Sequence, residues 1–144
     1  MNVRLTPEER FEVFGEHDPA TYGTEIEQRW GNTDAFKEAR RRVQKYAKED
    51  WLRMKAEGEQ PVHALVAARR AGRPPTSIEA MDAAEAHRQH ISRWFYECGL
   101  DVHGGLGEMY VADERFRATY DDIEPGLAAY LRDAIVANAA RYAA

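Results

Sequence analysis

The stretch HRQHISRWFYECGLDVHGGLGEMYVAD, residues 87–113, decides how this chain reads. It holds the only cysteine, Cys98, three of the five histidines, and glycines at positions 99, 104, 105 and 107. On a helix advancing roughly 100° per residue, His87, Ile91, Trp94, Phe95 and Cys98 share one face. The spacing predicts a helix that runs to Cys98 and is stopped by a left-handed Gly99. A thiol at the end of such a stripe either lines a pocket or fills a core as a small apolar group. Local pattern leaves both readings open. Beyond Gly99, Val102, Leu106, Met109 and Tyr110 recur at helical spacing despite three glycines. Each glycine inside a helix costs about 1 kcal/mol against alanine, so Gly104, Gly105 and Gly107 predict a close approach by a neighbouring helix or a ligand.

Working outward, the pattern is helical everywhere, and β-branched alternation is nearly absent. Thr6-Pro7-Glu8-Glu9 and Asp18-Pro19 open two short helices, with Phe11 and Phe14 on the first and Tyr22, Ile26 and Trp30 on the second. Asn32-Thr33-Asp34 caps a third, with Phe36, Val43 and Tyr46 as its buried positions. Gly58 and Pro61 interrupt the segment from Lys48 to Gly72, which predicts a kink or a junction of two helices. Arg73-Pro74-Pro75 is a linker, and Thr76-Ser77-Ile78-Glu79 is a capping box for the helix that leads to Cys98. Asp113-Glu114 caps a brief turn bearing Phe116 and Tyr120. Glu124-Pro125-Gly126 opens a last helix with a stripe of Leu127, Tyr130, Leu131, Ala134, Ile135 and Ala139. The expected architecture is all-α, with roughly seven or eight helices in one domain over residues 1–144. Short glycine-broken helices make 1–47 the looser part, ordered fully only against a partner or ligand, and 48–144 the helical core.

Bulk properties narrow the function. A net charge of −5 gives no electrostatic reason to bind nucleic acid, and Arg40-Arg41-Arg42 reads as a solvated helix face offset by nearby acids. No apolar run is long enough to span a bilayer, and no signal peptide opens the chain. One cysteine cannot form an internal disulfide, which agrees with a reducing cytoplasmic setting. His87, His90, Cys98 and His103 match no zinc spacing, and neither a metal nor a cofactor is expected. A cysteine hydrolase built from Cys98 and His103 lacks an orienting third residue, and a thiolate at a helix C-terminus is disfavoured by the dipole. The chain is therefore not expected to be an enzyme. Phe11, Trp30 and the other aromatics before residue 52 suit either a core or a lid over a large apolar ligand.

The residues Cys98-Gly99, His103, Leu106-Gly107-Glu108-Met109-Tyr110-Val111, Asp113, Arg115-Phe116 and Pro125-Gly126-Leu127-Ala128 with Tyr130 closely resemble the TipAS antibiotic-recognition domain. The likeness continues through Ala80-Met81-Asp82-Ala83-Ala84-Glu85, His87-Arg88-Gln89, Arg29-Trp30-Gly31-Asn32-Thr33-Asp34, Lys48-Glu49-Asp50-Trp51 and Leu5-Thr6-Pro7-Glu8-Glu9. That module stands C-terminal to MerR-type DNA-binding domains in thiopeptide-responsive regulators. The resemblance implies a globin-like helical fold with a deep cleft for thiopeptides of the thiostrepton class. It implies that Cys98 bonds to a dehydroalanine of the antibiotic as a thioether, and that the N-terminal helices order on binding. The residues expected around the ligand are His87, Ile91, Trp94, Phe95, His103, Gly107, Tyr110, Trp30 and Phe11. No helix-turn-helix is present in these residues, so DNA binding would fall to an N-terminal MerR-type domain of a longer form; a short form would sequester antibiotic. Alternative readings are a non-covalent multidrug-binding domain of the same fold, a cysteine-dependent enzyme acting on small electrophiles, and a helical protein–protein module.

Overall fold

A computed structural model describes residues 32–143. Six α-helices make up its regular structure, with no strand among the described residues: α1 Asp34–Val43, α2 Lys48–Arg70, α3 Ile78–Trp94, α4 Leu100–Ala112, α5 Glu114–Asp121 and α6 Leu127–Tyr142. The two helices expected before Gly31, with Phe11 and Trp30, lie outside the described residues.

Helix starts follow local chemistry. The Thr33 hydroxyl accepts from Phe36 N–H, and the Asp113 carboxylate accepts from Arg115 N–H, each satisfying a donor that the first turn leaves orphaned. Before α3 the expected box shifts by one residue: Ser77 Oγ, not Thr76, takes the Ala80 N–H at 3.2 Å. Two helices do not meet at Gly58 and Pro61: α2 runs unbroken for 23 residues with Pro61 inside it. Gly58 has a packing reason instead: a Cβ there would meet the His90 ring at 2.9 Å.

The described residues form two compact units. In the first, residues 32–57 and 91–97, Val43, Trp51, Met54 and Trp94 are buried together, with Tyr46 and Phe95 against them. Tyr46 meets Trp51 and Trp94 edge-on, with centroids 5.7 and 5.5 Å away. Tyr46 itself is only half-buried, its hydroxyl donating to the Trp94 carbonyl. In the second unit, residues 58–90 and 98–143, Leu65, Ala80, Ala84, Leu127, Leu131 and Ile135 centre the core. Here α4 lies against both α5 and α6. At Gly107 the approach is close, since a Cβ would meet Ile135 Cδ1 at 3.3 Å and Arg132 Cα at 3.5 Å. That is the neighbouring helix the glycines predict. At Gly104 and Gly105 none of the described residues stands within 4 Å of that position, so no neighbouring helix among them explains those two. The stripe on α6 is buried as expected up to Ile135, but Asn138 rather than Ala139 completes it.

Candidate functional site

Cys98 is not on a helix face. α3 ends at Trp94, and Cys98 lies four residues farther on, in the connection to α4. The end is set by partners far away in sequence: Arg42 Nη1 donates to the Ser92 carbonyl at 2.8 Å and Tyr46 to that of Trp94. These side chains satisfy carbonyls that a longer helix would have used internally. Tyr96 N–H bonds back to the Ile91 carbonyl at 3.3 Å, turning the chain out of the helix. Gly99 is not a left-handed stop either. Its backbone is extended (φ −72°, ψ 169°) and it is the N-cap of α4, its carbonyl accepting from His103 N–H at 2.9 Å.

The electrostatics of Cys98 change accordingly. The thiol precedes a helix N-terminus, where the dipole favours a thiolate, contrary to the expectation drawn from a C-terminal position. Burial nevertheless wins. Cys98 is fully buried, and desolvation pushes its thiol up to about 11, with Arg88 pulling down and Asp101 and Glu85 pushing up.

Three of the expected ligand residues meet in one cluster. His87 from α3 and His103 from α4 stack at 5.1 Å, with His87 Nδ1 and His103 Nε2 2.9 Å apart. His87 Nε2 lies 3.1 Å from the Tyr120 hydroxyl, and the Tyr110 ring stands edge-on to His87 at 6.0 Å. Tyr120 in turn tilts against Tyr110 at 5.0 Å. Both imidazoles are buried, and desolvation drives both below the usual histidine range, His87 to about 3 and His103 to about 4. The chain of contacts therefore joins two neutral rings and a phenol. His103 Nδ1 is buried without a hydrogen-bond partner among the described residues.

Ile91, Trp94 and Phe95 belong to the first unit, where Trp94 Nε1 donates to Glu57 at 3.1 Å. Gly107 is the α4–α6 contact. Trp30 and Phe11 lie outside the described residues. No group of three or more His, Cys, Asp or Glu arranged to hold a metal occurs among the described residues. No helix among them is long and apolar enough to cross a membrane.

Pattern reading missed two participants. Tyr120 reaches His87 across 33 residues, with no local signal of the contact. Arg88 donates from Nη1 to the Cys98 carbonyl at 2.8 Å while Nε and Nη2 grip the Glu85 carboxylate at 2.9 and 2.6 Å. Glu85 also accepts from Gln89 and from the buried Asn138; Arg88 above all, with these two donors, holds its carboxyl down to about 2 against the cost of burial. A carboxylate and an arginine three residues apart on a helix are a common surface pair, so spacing alone does not mark this one.

Comparison with known proteins places the chain in a family. Residues 22–138 match the family described as the TipAS antibiotic-recognition domain. The transcriptional activator TipA of Streptomyces coelicolor is 53% identical over 142 residues, covering 99% of this chain and 56% of that protein. The activator mta of Bacillus subtilis is 36% identical over 121 residues, covering 84% of this chain and 46% of that protein. The chain thus spans about half the length of the curated relatives it matches. A solved structure of TipAS from Streptomyces lividans in complex with nosiheptide, a thiopeptide resistance system, superposes with a TM-score of 0.92 at 52% identity, covering 99% of this chain and all of that one. The antibiotic-binding domain of a TipA-class multidrug resistance regulator superposes over 65% of this chain and all of that one, with a TM-score of 0.59 and 52% identity.

Proposed function

Because this chain belongs to the TipAS antibiotic-recognition domain family, we propose that it binds thiopeptide antibiotics of the thiostrepton class and captures them through Cys98. The observation that carries this reading is the near-complete superposition on a domain holding nosiheptide. The residues we propose to take part in ligand binding are His87, His103, Gly107 and Tyr110 of the second unit and Ile91, Trp94 and Phe95 of the first, each unit taken by itself, together with Phe11 and Trp30. In the capture step the Cys98 sulfur adds to the methylene carbon of a dehydroalanine. The carbon–carbon π bond breaks, a sulfur–carbon bond forms, and the thiol proton is replaced by one on the α-carbon, with no change of oxidation state overall. A thiol pushed up to about 11 is almost wholly protonated at neutral pH, so the rate must come from holding the acceptor against the sulfur.

The same shifts weigh against turnover chemistry. A histidine-activated cysteine needs a lowered thiol and a protonated imidazole, and here Cys98 is raised while His103 is lowered. We therefore read the chain as a recognition domain. It serves as the effector-binding part of a MerR-type transcriptional activator, or as a free protein that sequesters antibiotic by mass action.

Complete burial of Cys98 favours a second reading, non-covalent binding of several drugs with the cysteine acting as core. Intact-protein mass spectrometry after incubation with thiostrepton separates the two. Covalent capture gives one adduct of antibiotic mass that is lost in Cys98→Ala; non-covalent recognition gives drug-dependent thermal stabilisation of both proteins and no adduct.

A further inference from the structure

The connection between α3 and α4 carries Cys98 outside any helix, so its position depends on what grips its backbone. One such grip is a guanidinium held in a fixed plane. Arg88 uses two nitrogens on the Glu85 carboxylate and a third on the Cys98 carbonyl. Glu85 is itself fixed from α6 by Asn138 Nδ2 at 3.0 Å. Asn138 Oδ1 accepts from Arg141 Nε at 2.8 Å, and Arg141 Nη1 reaches Asp82 at 2.9 Å. The network therefore runs from α6 through α3 and ends on the cysteine backbone. A planar five-donor fork suits this task; a lysine ammonium cannot hold both carboxylate oxygens and a carbonyl in one plane.

We infer that Arg88 is a positioning residue for Cys98: its guanidinium, locked by Glu85 and Asn138, fixes the cysteine backbone and so the placement of the sulfur for bond formation. This rests on the reading of Cys98 as the capture residue. The Arg88 charge also acts on the thiol, favouring a developing thiolate, while Asp101 and Glu85 oppose it.

The test compares the whole chain with Arg88→Gln and Arg88→Lys by two readouts, with circular dichroism to establish folding. One is the pH profile of Cys98 alkylation by iodoacetamide. The other is the rate of thiostrepton adduct formation by intact mass, beside non-covalent affinity measured in a Cys98→Ala background. Arg88→Gln is expected to move the alkylation profile up by about one pH unit. It is also expected to slow adduct formation at least about tenfold with affinity unchanged. Arg88→Lys, which keeps the charge and loses the fork, is expected to restore the profile and not the adduct rate. A folded Arg88→Gln protein with the parent profile and rate overturns the inference. If Arg88→Gln does not fold, a parent adduct rate in Arg88→Lys overturns it. If the parent forms no adduct, covalent capture fails by itself; the alkylation profile then decides for Arg88, a shift supporting its action on the thiol and no shift overturning it.

Discussion

His87 and His103 stack with their facing ring nitrogens 2.9 Å apart, a contact that exists only while at least one of the two imidazoles is neutral. Its energetic sign follows from proton linkage. Burial lowers His87 to about 3 and His103 to about 4, whereas both titrate near the ordinary histidine value in the unfolded chain. Between those limits the unfolded state binds more protons, so acidification favours unfolding. Each ring contributes a slope of at most about 1.4 kcal/mol per pH unit, starting near pH 6.5, above the range where carboxylates protonate. Urea unfolding at pH 7, 6 and 5 should show stability falling steadily. Removing one titrating ring with His87→Gln should make the dependence shallower; an unchanged slope would contradict the buried neutral pair.

The three glycines of α4 should behave differently from one another. Gly105 is exposed, and none of the described residues lies within 4 Å of where a Cβ would stand, so Gly105→Ala should stabilise the domain by about 0.5–1 kcal/mol through helix propensity. Gly107 faces Ile135 and the Arg132 backbone, and Gly107→Leu should destabilise by about 1–3 kcal/mol by forcing α4 off α6. Chemical denaturation of both variants checks the opposite signs.

Asn138 is fully buried and bridges Glu85 to Arg141. Replacing it by Leu leaves the partly buried Glu85 carboxylate short of one donor, a loss of about 1–3 kcal/mol. Asn138→Asp should be worse at pH 7, because it sets a second carboxylate against Glu85, and the deficit should shrink toward pH 4 as a carboxylate protonates. Melting temperatures at the two pH values give the comparison, and a deficit independent of pH would exclude like-charge repulsion.

Cys98 should be slow to react with thiol reagents in the native domain. With burial complete and the thiol near 11, the thiolate fraction at pH 7 is on the order of one in ten thousand. Labelling by a small disulfide reagent should therefore accelerate sharply in denaturing urea. Equal rates in native and unfolded protein would show that the thiol is neither buried nor shifted.

The sequence by itself determined the all-α class, the caps at Thr33 and Asp113, and the apolar stripe of α6 as far as Ile135. These are interactions among residues a few positions apart, where side-chain type and helical period settle the outcome. The tertiary structure decided where α3 stops, because the carbonyls that end it are satisfied by Arg42 and Tyr46, about 50 residues earlier. That stop removes Cys98 from the face it shares with His87 in an ideal helix and places it before α4. Likewise Tyr120 reaches His87 and Asn138 reaches Glu85 only after α5 and α6 have docked. A polar residue's burial is set by the partner that folding brings to it, and a helical repeat carries no record of that partner.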